Sequence, residues 1–253
     1  MADLSVFKEQ YRQDKQALWA HIASSAANGR SLKRSLMRLA HLADKLLIQL
    51  WNQAGFQNGE CLVAVGGFGR GELFPSSDVD VLVLLPEHAD PEASAALKAQ
   101  LETFIGSCWD SGLEIGASVR NLNDCLEESA KDITVQTSLL ESRYITGSKS
   151  LFDAFESSYQ AAMDPHAFFV AKSLELQQRH NKFENTPYSL EPNCKESPGG
   201  LRDLQVVLWV AKAAGLGTSW ENLGRKGLAT EFEVKQLKRN EDALALIRTR
   251  LHL

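Results

Sequence analysis

Two aspartates, Asp78 and Asp80, stand at the head of an apolar run that ends at Leu85. Side chains alternate faces along a strand, so both carboxylates point the same way, side by side at one edge of a sheet. Two neighbouring anions repel unless a cation lies between them. A divalent metal meets that need through oxygen ligands, and magnesium commonly combines one or two protein carboxylates with substrate phosphates. Upstream, Gly66, Gly67, Gly69 and Gly71 follow a short apolar run, Cys61 to Val65, that reads as a buried strand. Glycines there let backbone N–H groups approach phosphate oxygens, because no Cβ crowds them. Strand, glycine turn, acid pair and second strand together predict a site for a nucleoside triphosphate and a metal ion.

In-line displacement with two metal ions, which clamp the attacking and leaving oxygens, calls for a third carboxylate. Glu114 is the candidate, at the start of a predicted third strand, Leu113 to Val119. Glu114, Gly116, Ser118 and Arg120 share one face of that strand, and the small Gly116 and Ser118 leave room beside Glu114. Asp110 is the alternative third acid; a solvated strand end is the other reading of Glu114. Arg70 follows the glycine pair by three residues, where a helical turn would aim its planar donor fork at phosphates. Otherwise it is a surface arginine. Ser76 and Ser77 shape the approach to Asp78 rather than act as nucleophiles.

A second charged turn lies in KESPGGLRD, before a helix that begins near Leu201. A helix N-terminus behind a glycine pair can bind an anion, so Lys195 or Arg202 would touch triphosphate or nucleobase. The alternative is that Glu196, Arg202 and Asp203 form an ion-pair lock packing the helical part onto the catalytic part. Arg179 and His180, on a polar helix, read as structural.

Gly66–Gly67 followed eleven residues later by Asp78 resembles the nucleotidyltransferase superfamily that includes DNA polymerase beta. The stretch GGFGRGELFPSSDVD is similar to the N-terminal catalytic domain of the bacterial PII uridylyltransferase/uridylyl-removing family. LEIGASVRNLNDCLEES and LEPNCKESPGGLRDLQVVLW resemble further hallmarks of that family, in the same order. The resemblance covers the chain beyond about Ser31. It implies a polymerase beta-like α+β core, with a mixed sheet flanked by helices and further helical regions at both ends. It implies a third acid from a neighbouring strand, which Glu114 matches. It also implies Mg2+, with Mn2+ as an alternative, UTP as nucleotide, and a tyrosine of the PII signalling protein as acceptor. Asp78, Asp80 and Glu114 are then the catalytic and metal-binding residues, and Gly66, Gly67, Arg70, Lys195 and Arg202 contact nucleotide. In that family a phosphohydrolase domain removes UMP and ACT domains sense glutamine. The sequence has no His–Asp pair and is too short for either module, so neither activity is expected of it. Nothing in the residues selects uracil over adenine. A different protein or small-molecule acceptor, or a degenerate nucleotide-binding module, are the competing readings.

The remaining sequence supplies the elements that position these residues. With 253 residues the chain can form one large domain or two small ones, and its net charge of −5 gives no footprint for nucleic acid. Four scattered cysteines without C-x-x-C spacing exclude a zinc motif and a disulfide framework, and suit the cytoplasm. Cys61 is expected to fill core. No apolar run approaches the ~18 residues of a membrane span. Leu4 to Ala23 is predicted helical, Asn28–Gly29 breaks it, and Ser31 is expected to cap a second helix with a leucine stripe. Further helices are expected over Glu92 to Trp109, Leu122 to Glu128, Ile133 to Glu141, Leu151 to Met163, Ala167 to Asn185 and Leu201 to Ala214. Arg143 to Ile145 reads as a strand or helix end. The expected organisation is N-terminal helices (1–58), a catalytic core (59–150) and a helical region (151–253). The last residues still read as helix, so the chain is expected to be a piece of a longer protein.

Overall fold

The computed structural model describes residues 4–24, 29–56, 59–188 and 193–253. Asn28 of the expected break and Leu190 to Pro192 of the second motif lie outside the described residues. The described chain groups into two compact units, one formed by Met1–Ser25 and Lys33–Ala162, the other by Ala26–Leu32 and Met163–Leu253.

The first unit is built on a sheet. Its strands are β1 (Cys61–Ala64), β2 (Val79–Leu85), β3 (Ile115–Asn121) and β4 (Arg143–Gly147), in the order β3-β2-β1-β4. β1 runs antiparallel to β2 and β4, whereas β2 and β3 are parallel. Parallel neighbours need a crossover, and helix α4 (Ala95–Asp110) lies between them in the chain. Ser94 starts α4 by accepting the Leu97 N–H at 3.3 Å. Every residue of β1, and Val81 to Leu84 of β2, is fully buried, so both faces of these apolar strands are covered. β2 is an interior strand. The two aspartates therefore lie at its head and not along a lateral edge of the sheet.

Helices α1 (Leu4–Ser24), α2 (Gly29–Ala54), α3 (Gly66–Gly69), α5 (Leu122–Lys131), α6 (Ile133–Leu140) and α7 (Lys149–Ala162) complete this unit, α2 from Lys33 onward. In α2, Leu36, Leu39, Ala43, Leu46, Leu47 and Leu50 recur at helical spacing and are all buried. The helix begins at Gly29, so Ser31 lies inside its first turn instead of capping it. Trp51 stacks on Phe56 at 4.0 Å, and Phe104 of α4 meets the pair edge-on at 5.5 and 6.1 Å. Asp44 of α2 grips Arg143 of β4 through two bonds of 2.9 and 3.0 Å. Cys61, Cys108 and Cys125 are buried free thiols that fill core, and burial pushes each up to about 12.

The second unit is helical: α8 (Pro165–Lys182), α9 (Leu201–Ala213), α10 (Trp220–Arg225) and α11 (Glu231–His252). Asp164 caps α8, with Pro165 in its first turn, and Thr230 with Glu233 forms a capping box on α11. Ala211, Trp220 and Leu223 form a small core against Leu208, Val234 and Leu237. The architecture is thus α+β, a mixed sheet flanked by helices with helical regions at both ends. No described helix is long and apolar enough to cross a membrane.

Candidate active site

Val79 is buried between Asp78 and Asp80, which turns both aspartates to the other face of β2. Asp78 is exposed and Asp80 half-buried. The chain leaving β1 stays beside them, because the Val65 N–H donates to the Asp80 carbonyl at 3.1 Å. It then enters α3, so the glycine-rich turn is a single helical turn. Gly66 has φ +57°, a left-handed conformation that glycine adopts without a Cβ penalty. A Cβ there would stand 3.4 Å from Asp80 Oδ2 and 3.5 Å from Ser138 Oγ. On the other side Gly116 is the β3 partner of Asp80, and a Cβ on Gly116 would stand 2.6 Å from Asp80 Oδ1. The Asp80 carboxylate therefore occupies a slot walled by two glycines.

Glu114 immediately precedes β3, and its carbonyl accepts the Val79 N–H at 2.8 Å. It lies two residues before Gly116, so strand parity puts it on the face of Asp78 and Asp80. Its side chain is exposed. Burial lowers the Lys15 ammonium of α1 below the usual lysine range, and the charge of Glu114 opposes that shift. Asp110 is the last residue of α4 and is exposed. Among the described residues no three acidic, histidine or cysteine side chains converge into a ready-made metal cage. Strand parity puts Asp78, Asp80 and Glu114 on one face. Their all-oxygen donor set and the open glycine slot suit a hard divalent ion.

Arg70 sits against the glycine pair, its Nη2 lying 3.7 Å from where a Gly67 Cβ would be. It donates to Glu72 at 3.1 Å and to the buried Glu141 at 3.4 Å. Burial alone would lower the guanidinium; the two carboxylates outweigh it and hold Arg70 above its usual value.

Lys195 and Arg202 belong to the helical unit. Arg202 pairs with Glu196 at 3.1 Å and donates to Gln205 at 3.1 Å, and Lys195 meets Glu196 at 3.4 Å. Burial lowers Lys195, helped by the charges of Arg202 and Arg248. Asp203 accepts the Gly199 N–H at 2.8 Å, Arg179 at 2.9 Å and His180 at 2.9 Å. Burial raises its carboxyl, but His180, the Gly199 N–H and Arg179 outweigh that and leave it lowered. These pairs all lie within the helical unit.

Two further cations are visible only in the folded chain. Lys172 of α8 is only 2% exposed; it pairs with Glu175 and lies 4.7 Å over the Trp209 ring. Phe168, Lys172, Glu175 and Arg179 recur at steps of four, three and four, a stripe that marks them as one helix face. Lys15, four residues after Tyr11 and four before Trp19 on α1, is the other, and the charge of Glu114 acts on it.

Residues 47–134, which carry the glycine turn, the acid pair and Glu114, match the family model for the nucleotidyltransferase domain. Residues 167–253 match the model described as GlnD PII-uridylyltransferase. A bifunctional uridylyltransferase/uridylyl-removing enzyme of Cupriavidus pinatubonensis is 54% identical over 97% of this chain and 27% of its own length. The chain belongs to this uridylyltransferase family. Relatives of the same name from Burkholderia lata and Ralstonia nicotianae are 56% and 52% identical over 90% and 92% of the chain, and 26% and 27% of their own lengths. The chain thus spans about a quarter of the curated family members it matches.

Proposed function

We propose that this segment is the nucleotidyl-transferring part of the family's enzyme and moves UMP from UTP to a tyrosine hydroxyl of the PII protein. The observation that carries the proposal is the Asp80 carboxylate held between Gly66 and Gly116, with Asp78 and Glu114 on the same face. The family model's description, PII-uridylyltransferase, supports PII as the acceptor, and the tyrosine is what the family resemblance implies. In the reaction the phenol oxygen bonds to the α phosphorus of UTP. The bond to the α–β bridging oxygen breaks, pyrophosphate leaves with the electron pair, and the phenol proton passes to Glu114. Asp78, Asp80 and Glu114 would hold Mg2+, or Mn2+ in its place. Such an ion neutralises charge on the triphosphate and polarises its oxygens. Gly66 and Gly67 let the chain approach the triphosphate, and Arg70, fixed by Glu72 and Glu141, presents cationic charge at that turn. Lys195 and Arg202 serve as secondary nucleotide contacts, and Glu196 holds both. In this proposal residues 59–150 are the catalytic core, and the helical domain starts after α7, at Met163, rather than at 151.

The test is kcat for UMP transfer to purified PII in Asp78→Asn, Asp80→Asn and Glu114→Gln proteins. Each is expected to lose roughly a hundredfold or more, the scale of removing a group aimed at transition-state charge. Wild-type rates in all three would refute the assignment.

A further inference from the structure

Helix α6 is locked against the glycine turn. A Cβ on Gly69 would run into the Glu141 carbonyl oxygen, so the two backbones touch there and only glycine fits. Glu141 reaches Arg70 at the end of the turn. Ser138, one helical turn earlier on α6, meets the start of it: its Oγ lies 3.5 Å from where a Gly66 Cβ would be. Asp80 Oδ2 lies 3.4 Å from that same point. The Ser138 hydroxyl thus stands at the rim of the Asp80 slot on the Gly66 side. The side chain is half-buried, and among the described residues its hydroxyl has no hydrogen-bond partner. The neighbouring Thr137 hydroxyl, by contrast, donates back to the Ile133 carbonyl at 2.6 Å. No hydrogen bond joins Ser138 to Asp80, so it does not orient that carboxylate. Other donors of the turn are committed. The N–H groups of Gly69, Arg70 and Glu72 donate to the Val65, Gly66 and Gly67 carbonyls, and the Arg70 side chain is held by Glu72 and Glu141. A phosphate brought to this turn carries acceptor oxygens beside a carboxylate that repels them, so it calls for an uncommitted donor.

We propose that Ser138 is a further substrate-binding residue, whose hydroxyl donates a hydrogen bond to a non-bridging oxygen of the nucleotide's triphosphate; this rests on the nucleotidyl-transfer reading above. A serine hydroxyl rotates to suit its partner, so it can find that oxygen without moving the helix that carries it. The acceptor is charged, and such a bond is roughly twice as strong as one between neutral groups. In the free protein the hydroxyl holds nothing in place. Its loss is therefore costly to binding and nearly neutral to folding, a pairing that a packing role would reverse.

The test is equilibrium binding of UTP, and separately of inorganic triphosphate, to wild-type and Ser138→Ala protein at two magnesium concentrations. Both dissociation constants are expected to rise about tenfold in the variant, the scale of one hydrogen bond to a charged group, with the KM for PII held within about twofold. The thermal midpoint without nucleotide is expected to stay within a few degrees of wild type. Wild-type dissociation constants in Ser138→Ala overturn the proposal. So does weaker binding of UTP with unchanged binding of inorganic triphosphate, which would place the hydroxyl at the nucleoside. A defect that the higher magnesium concentration removes would make it a metal ligand, and a midpoint that drops along with binding would assign it to packing; either overturns the proposal too. The titrations need no acceptor, so failure of the transfer reading has its own signature, protein that binds UTP and moves no UMP to PII. In that case the two dissociation constants still decide the contact.

Discussion

Adding one methyl group at Gly116 would place a Cβ 2.6 Å from Asp80 Oδ1, closer than real Cβ contacts come. Gly116 does not have a positive φ, so alanine fits its backbone and the strain falls on the carboxylate alone. Gly116→Ala is therefore expected to lower kcat for UMP transfer by about tenfold or more, the scale of misplacing a reacting group, with the thermal midpoint shifted by only a few degrees. Wild-type activity in that variant would show that the slot is not needed. Arg70 poses a different problem, since the buried Glu141 that helps hold it lies 71 positions away in sequence. Glu141→Gln is expected to cost about 1–3 kcal/mol in urea unfolding, because the half-buried Arg70 guanidinium loses part of its charge compensation. The acid pair and glycines were legible because strand parity and the size of a Cβ are local facts. Glu141 and Lys15 were not, because only the folded chain brings Glu141 to Arg70 and Lys15 near Glu114.

At the scale of elements, Phe104 is the clearest test of how α4 is held. It is fully buried and meets both Trp51 and Phe56 edge-on. Phe104→Ala is expected to cost about 3–5 kcal/mol, read as a lower urea midpoint, through lost transfer energy and the cavity left behind. A change under about 1 kcal/mol would mean the cluster collapses to fill the space. The starts expected at Glu92 and Ala167 miss those of α4 and α8, which Ser94 and Asp164 fix as caps before Ala95 and Pro165. Ser31 has the same chemistry yet lies inside α2. A cap contributes about 1 kcal/mol, and tertiary packing of a long apolar stripe overrides it. The interior place of β2 was illegible for a related reason. An apolar run declares that both its faces are covered, but not which strands become its neighbours.

At the scale of the whole molecule, the two compact units were only partly foreseen. Sequence order alone places the helix of Leu151 to Met163 with the C-terminal region, yet α7 groups with the sheet. Helical periodicity identifies a buried face without saying what buries it. The helical unit has its own expected pH signature. Asp203 and Glu196 titrate below their ordinary values of 3.8 and 4.5, because His180, Arg179 and Arg202 favour their charged forms over the opposing effect of burial. The unfolded chain therefore binds more protons near pH 4 than the folded one, so this stabilisation is complete above about pH 4.5 and is lost as pH falls through the lowered values. The thermal midpoint of the wild-type protein is expected to fall more steeply below pH 4.5 than that of Asp203→Asn; parallel curves would contradict it. The fate of a label decides which phosphorus of the nucleotide is attacked. UTP carrying radioactive phosphorus at the α position, and separately at the γ position, would be incubated with magnesium, PII and either wild-type or Asp80→Asn protein. The account predicts label on PII from α-labelled UTP alone, nearly abolished by Asp80→Asn. Label arriving from the γ position, or α label undiminished in the variant, would contradict it.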